Sequence, residues 1–244
     1  MNSRKIPPTL REVADKDVAT AKKARESWHV LSIMAEFIEA IEYLSEIRPA
    51  VSLYGSARLK SDTPEYQLTY QISKLLSDTG FAVISGGGPG IMEASNKGAY
   101  DGASAAVGLN IQLPMEQKGN SYQNVSLTFR HFFARKYAFV RSADAFVVMP
   151  GGFGTLDELS EVLTLIQTKK ARHIPIVLVG REFWAGLFDW FKKTLLTKGV
   201  IGQNDLDLMV IVDTADEVVD AIIQFYEGRE LSPVPKDFDQ MNSL

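Results

Sequence analysis

Apolar positions along this chain follow two spacings that alternate from residue 50 to residue 226. Short unbroken runs rich in Val, Ile, Leu and Ala lie at 51–54, 81–84, 105–111, 144–149, 174–179 and 208–212, with a weaker run at 125–129. Unbroken runs of this length predict strands buried on both faces. Between them, at 64–78, 91–102, 132–142, 156–166, 183–198 and 215–226, apolar residues recur every three or four positions and predict helices. Strand and helix in alternation, joined by short connections, give an α/β fold: a Rossmann-like doubly wound parallel sheet with helices on both faces.

Ahead of this region, residues 9–46 are helical in pattern, and the second half of that segment carries Trp28, Leu31, Met34, Phe37, Ile38, Ile41 and Leu44 at helical spacing. Such a stripe needs a surface to cover, either the protein's own core or a second subunit. The cluster Lys22, Lys23 and Arg25 reads as a solvated face. The expected organisation is an N-terminal helical extension at 1–48, a nucleotide-binding catalytic domain at 49–228, and a C-terminal tail at 229–244.

Composition narrows the function classes. A chain of 244 residues, 45% of them hydrophobic, can bury a sizeable single core. A net charge of −4 offers no general attraction for nucleic acid or an anionic membrane. With no cysteine there are no disulfides and no thiolate metal sites. The first residues lack the apolar core of a signal peptide and no run reaches membrane-spanning length, so a soluble cytoplasmic protein is expected.

Three predicted strands end in glycines, at Gly55, Gly86 and Gly151, and should converge on one crevice at the carboxyl edge of the sheet. The stretch Pro150-Gly151-Gly152-Phe153-Gly154-Thr155-Leu156-Asp157-Glu158 combines a strand end, a glycine turn and a helix start. Such a turn aims backbone N–H groups and the positive end of a helix dipole at one spot, which makes an anion site, most often for phosphate. The plainer reading is a capping box, with Thr155 and Glu158 satisfying each other's backbone N–H groups. Three carboxylates, Asp157, Glu158 and Glu161, exceed what a cap needs, since acid at an exposed helix start is worth only about 0.3–1 kcal/mol.

Several chemistries are disfavoured. The run Gly86 to Gly90 departs from the dinucleotide fingerprint because Ile91 stands where a third small residue belongs and no carboxylate follows at the expected distance. Neither a nucleoside-triphosphate P-loop nor a serine-hydrolase elbow occurs. His29, His131 and His173 lie in unrelated segments without ligand-like spacing, so no metal is expected. Arg135 and Lys136 sit on an otherwise apolar and aromatic helix that feeds into the strand before the glycine turn. These cations must find water, a carboxylate or an anionic ligand.

Together, Gly86-Gly87-Gly88-Pro89-Gly90-Ile91-Met92, Arg135-Lys136 and the stretch from Pro150 to Glu158 resemble the LOG ("lonely guy") family, phosphoribohydrolases that release cytokinin bases from nucleoside 5′-monophosphates. The likeness spans roughly residues 50–228, and the pattern P-G-G-x-G-T-x-x-E is complete. It implies a homodimer or an assembly of dimers with the site near the subunit interface, a nucleoside 5′-monophosphate as substrate, and no cofactor. Carried over by motif, it implies Arg135 and Glu158 as the catalytic pair. It implies substrate contacts at Gly87, Gly88, Lys136, Gly151, Gly152, Gly154 and Thr155, and, outside the strict motif, at Glu116 and Thr164. Some family members carry a lysine decarboxylase label, but no lysine here stands in a recognisable Schiff-base setting. A fixed carboxylate at Glu158 would stabilise the positive charge that develops on ribose as an N-glycosidic bond breaks. The alternative, on the same fold, is a non-catalytic nucleotide or molybdenum-cofactor carrier, or a nucleotide sensor.

Overall fold

In the computed structural model the described residues are 16–114 and 119–227, with side chains described from Lys22 onward. The expected contact Glu116 therefore lies outside the described residues, as do residues 9–15 of the expected N-terminal helix. The chain opens with helix α1 (Lys16–Leu44) and then alternates: β1 (Ala50–Tyr54), α2 (Pro64–Asp78), β2 (Ala82–Ser85), α3 (Ile91–Tyr100) and β3 (Ala106–Ile111). It continues with β4 (Val125–Phe129), α4 (Phe132–Ser142), β5 (Ala145–Val148), α5 (Phe153–Gln167), β6 (Ile176–Val179) and α6 (Arg181–Trp190). A π-helical stretch at Phe191–Leu196, a four-residue helix α7 (Gln203–Leu206), β7 (Met209–Val212) and α8 (Ala215–Glu227) complete it. The single helix expected over 183–198 is thus two pieces of different pitch.

All seven strands pair in parallel in the order β4-β3-β2-β1-β5-β6-β7, a Rossmann-like α/β sheet. The chain winds outward one way from β1 and then returns to start the other half at β5. β1 and β5 are neighbours with Leu53 opposite Val147 and Tyr54 opposite Val148. Ligands on such sheets bind where the winding reverses, outside the carboxyl ends of the strands.

The unbroken apolar runs are explained by two cores, one on each face. In β1, Val51 and Leu53 enter one core while Ala50 and Tyr54 enter the other; in β5, Ala145 and Val147 separate in the same way from Phe146 and Val148. Trp184 on α6 is the largest fully buried side chain and donates its indole N–H to the Val179 carbonyl at 3.0 Å.

Helix α1 covers the core with only part of its apolar surface. Ala40 and Leu44 are buried and Phe37 packs against Tyr137 of α4 with ring centroids 5.0 Å apart. Trp28, Leu31, Met34, Ile38 and Ile41 stay exposed, Trp28 at 73%. No helix among the described residues is long and apolar enough to cross a membrane.

Candidate functional site

The loops after β1, β2 and β5 meet over the switch point and are tied by one residue. Ser56 donates its N–H to the Pro150 carbonyl at 3.1 Å, and its own carbonyl accepts the Ile91 N–H at 2.9 Å. The convergence expected of Gly55, Gly86 and Gly151 is present. These loops floor a cleft of about 650 Å³ whose lining includes Tyr54, Asn110, Arg135, Thr155 and Glu158.

Helix α5 starts three residues earlier than the T-x-x-E pattern suggests. Its N-cap is Gly152, in extended conformation and with no side-chain cap, so Thr155 is the third helical residue and Glu158 belongs to the second turn. The capping box is overturned here: Thr155 is buried against the turn, and Glu158 has no capping task. The same pattern does form a box at α8, where the Glu217 carboxylate accepts from the N–H groups of Asp213 and Thr214, and the Thr214 hydroxyl accepts from Glu217 N–H. At α5 the first-turn N–H groups have no intrahelical acceptors and open onto the cleft beside Gly152, Phe153 and Gly154. Gly151 is required by crowding, since a Cβ there would lie 2.1 Å from the Thr155 Oγ1.

Arg135 is buried one turn into α4. Its Nε donates to the Leu109 carbonyl at the end of β3 at 2.6 Å, and Nη2 donates to the Gly86 carbonyl at 3.3 Å. The guanidinium lies 5.3 Å from the Phe139 ring centroid, and Nη1 faces Glu158 Oε1 at 4.0 Å. Any side chain at Gly86 would displace it, because a Cβ there would be 2.2 Å from Arg135 Nη2. Burial pushes the Glu158 carboxyl up from its ordinary 4.5 to about 7. The Arg135 charge pulls the other way and loses, as expected of a pair that is close but not hydrogen-bonded. Burial also lowers Arg135, with Glu158 opposing that shift.

The remaining expected contacts divide. Gly88, Gly152, Gly154 and Thr155 line the cleft, while Gly87 and Gly151 stand behind it as backbone supports. Lys136 points to the outer side of α5, where its ammonium pairs with Asp157 at 3.2 Å and Glu161 at 3.3 Å. Thr164 is exposed about three turns down α5 and donates to the Ser160 carbonyl, away from the cleft lining. His29 and His131, far apart in sequence, are brought together with ring centroids 4.9 Å apart. Ile91 is fully buried against Gly55, filling the space in which a dinucleotide fingerprint would let backbone approach backbone.

Sequence reasoning missed three contributors. Tyr54 ends β1 inside the cleft, stacked on Phe146, and its hydroxyl is held well above its ordinary titration by burial and then by Glu158 and Glu161. It therefore stays a neutral donor beside the pair. A polar residue at the carboxyl end of a buried parallel strand was the signal available. Asn110, last but one in β3, donates to Gln123 at 2.9 Å, while Gln123 and Asn120 donate to the carbonyls of Gly87 at 2.9 Å and Gly88 at 3.0 Å. The polar loop before β4 thus folds back to hold the glycine turn. Finally, Phe132 and Phe153 line the cleft and are exposed, Phe153 at 92%.

Comparison with known proteins adds a family to this geometry. The cytokinin riboside 5′-monophosphate phosphoribohydrolase LOG of Oryza sativa subsp. japonica is 28% identical over 201 residues, 80% of this chain and 81% of that protein. A cytokinin riboside 5′-monophosphate phosphoribohydrolase of Arabidopsis thaliana is 28% identical over 146 residues, 59% of this chain and 66% of its own. Among solved structures, the molybdenum cofactor carrier protein of Chlamydomonas reinhardtii superposes with a TM-score of 0.55 at 20% identity, covering 73% of this chain and 98% of that one, a likeness of fold. The family profile described as "possible lysine decarboxylase" matches residues 92–222, more than half of the chain and the part that carries Arg135, Glu158 and the glycine turn at 151–154. This chain accordingly belongs to that family, the one that includes the LOG proteins.

Proposed function

We propose that the protein is a nucleoside 5′-monophosphate phosphoribohydrolase, cleaving the N-glycosidic bond of AMP or a cytokinin-type nucleotide to give free base and ribose 5-phosphate. The observation that carries the reading is the close pair of Arg135 on α4 and Glu158 on α5, 4.0 Å apart, the latter on the helix whose first turn opens onto the cleft. The 5′-phosphate would sit on the first-turn amides near Gly152, Gly154 and Thr155. Glu158 lies four residues beyond Gly154, a rise of about 6 Å along the helix, so a ribose held by its phosphate reaches the carboxylate.

As the bond to the base lengthens, its electron pair leaves with the base nitrogen and positive charge builds on the ribose. The Glu158 carboxylate stabilises that charge and takes a proton from the attacking water. A group near 7 is suited to taking that proton and to giving it up to the departing base. Arg135 keeps Glu158 from being wholly neutral and orients it. The decarboxylase chemistry suggested by the family description fits less well: among the described residues no lysine lines the cleft, and the Lys136 ammonium is engaged by two carboxylates outside it.

The exposed face of α1 supports a homodimer or an assembly of dimers, with Trp28, Leu31, Met34, Ile38 and Ile41 covered by a second copy. The test of function is incubation with a panel of purine and pyrimidine 5′-monophosphates, following free base and ribose 5-phosphate. Tight binding without base release across the panel would replace the enzyme by a carrier of a nucleotide or of molybdenum cofactor.

A further inference from the structure

We infer that Glu36, on the N-terminal helix and outside the sheet domain, is a positioning residue for Arg135, acting through the start of α4. The inference rests on the reading of Arg135 and Glu158 given above.

Helix α4 has no means of its own to satisfy its first turn. Its N-cap is His131, which makes no side-chain cap bond, and no acidic residue stands in its first turn. The free N–H groups of a helix start need an acceptor when they are shielded from water. For the N–H groups of Arg130 and of the N-cap His131 just after it, the acceptor comes from 94 and 95 residues earlier in the chain. Glu36 Oε1 accepts from Arg130 N–H at 3.0 Å, and Oε2 accepts from His131 N–H at 3.3 Å. The His131 imidazole adds its Nδ1 at 3.1 Å from Oε2, close enough for an ion pair when protonated although not aligned as a hydrogen bond.

Glu36 is 8% exposed, and a carboxylate withdrawn from water is costly unless its oxygens are satisfied. Two backbone donors and the positive end of a helix dipole meet that requirement. The neighbouring contacts of α1 converge on the same place: Phe37 packs on Tyr137 and Phe133, and His29 packs edge-on to His131. The buried side of α1 is therefore directed at α4, and Glu36 is its polar anchor.

Arg135 is one turn from that anchor. Its N–H bonds to the His131 carbonyl at 3.1 Å, the first rung above the capped residues. Its side chain must then reach the carbonyls of Leu109 and Gly86 and face Glu158. Unravelling or rotation of the first turn of α4 moves that side chain directly, whereas the far end of α4 can shift without doing so.

The experiment is a double-mutant cycle on the full chain, with E36A, E36Q, R135A and E36A/R135A. Readouts are kcat and KM for AMP, AMP affinity by calorimetry, and amide hydrogen exchange over residues 130–135. E36A is expected to speed exchange of these amides and to lower kcat about tenfold with a smaller change in KM. E36Q keeps one carbonyl acceptor and should fall between E36A and the parent. The double variant should be no slower than R135A alone, because the effect of Glu36 passes through Arg135. Faster exchange with unchanged kcat, or losses that simply add in the double variant, would reduce Glu36 to a structural cap and overturn the inference. Should the parent release no base from any monophosphate, the proposed reaction fails, and the same cycle read by AMP affinity still decides the role of Glu36: non-additive losses sustain it and additive losses end it.

Discussion

Arg135 Nη1 and Glu158 Oε1 face one another at 4.0 Å across the floor of the cleft without a hydrogen bond between them. A direct bidentate pair would have spent both groups on each other and held Glu158 fully ionised. At this separation the arginine only moderates the effect of burial, and the carboxyl is left near 7 with its lone pairs free for ribose or water.

This position gives stability a definite pH dependence. Glu158 in the folded protein holds its proton up to about 7, while the unfolded chain releases it near 4.5. Between those values the folded state binds more protons, so stability falls as pH rises through this window and the contribution is gone above it. By the linkage relation the whole effect is at most about 3 kcal/mol. Urea unfolding of the parent and E158Q at pH 5 and pH 8 should show the parent losing stability relative to the variant. Parallel pH curves would contradict the assignment.

Turnover should follow the same group with opposite sense. kcat/KM for AMP is expected to fall tenfold per pH unit below about 7 as Glu158 protonates. In R135Q the bend should move to higher pH, because the charge that lowers Glu158 is gone. A bend that stays in place in R135Q would mean that another group governs the profile.

E158Q is expected to lose between about 10²- and 10⁴-fold in base release while still binding AMP. Glu158 caps nothing, so the variant should fold normally. Near-parent turnover in folded E158Q would remove the residue from the chemistry.

The fold was legible because β1, β2, β5 and β6 are buried on both sides and so show as unbroken apolar runs, as at Val147 and Val148, whereas the half-exposed β4 gives only a weak one. Arg135 and Glu158 were legible through their motifs, and the structure brings them together from α4 and α5. The register of α5 was not, because Gly152 caps by backbone conformation and leaves no side-chain signal, while the T-x-x-E pattern at Thr155 points to a cap that does not form. Tyr54 and Asn110 were obscured for another reason: a single polar residue at a strand end gains meaning only when neighbouring strands are placed beside it. Glu36 depends on a contact across more than ninety residues, which no local pattern can carry.

Crowding at the second glycine turn offers a test that leaves both charged groups in place. G86A puts a methyl group 2.2 Å from Arg135 Nη2 and 2.5 Å from Met92 Sδ, so base release should fall by about the 10²-fold typical of a displaced positioning group. G186A, on α6 with no atom near the added carbon, is the control and should be stabilised by up to about 1 kcal/mol. Full activity in folded G86A would show that Arg135 can work from another position.

For the assembly, L31E combined with I38E places two charges on the exposed face of α1. Scattering or sedimentation should show the parent as a dimer or larger and the variant at half that mass or less. Unchanged mass would leave this face without a role in association.

The double tie at Ser56 limits how the cleft can change. Since one residue holds the turn after β5 through its N–H and the start of α3 through its carbonyl, neither loop can shift without straining the other. The end of the cleft proposed to hold the phosphate is in this sense a keystone, set before any ligand arrives, and exchanging one base for another cannot be accommodated there. Tolerance for different bases would rest instead on the side chains of Phe132 and Phe153, which line the cleft and are exposed. Substitutions at those two positions should therefore redirect base preference while leaving the grip on ribose 5-phosphate as it was.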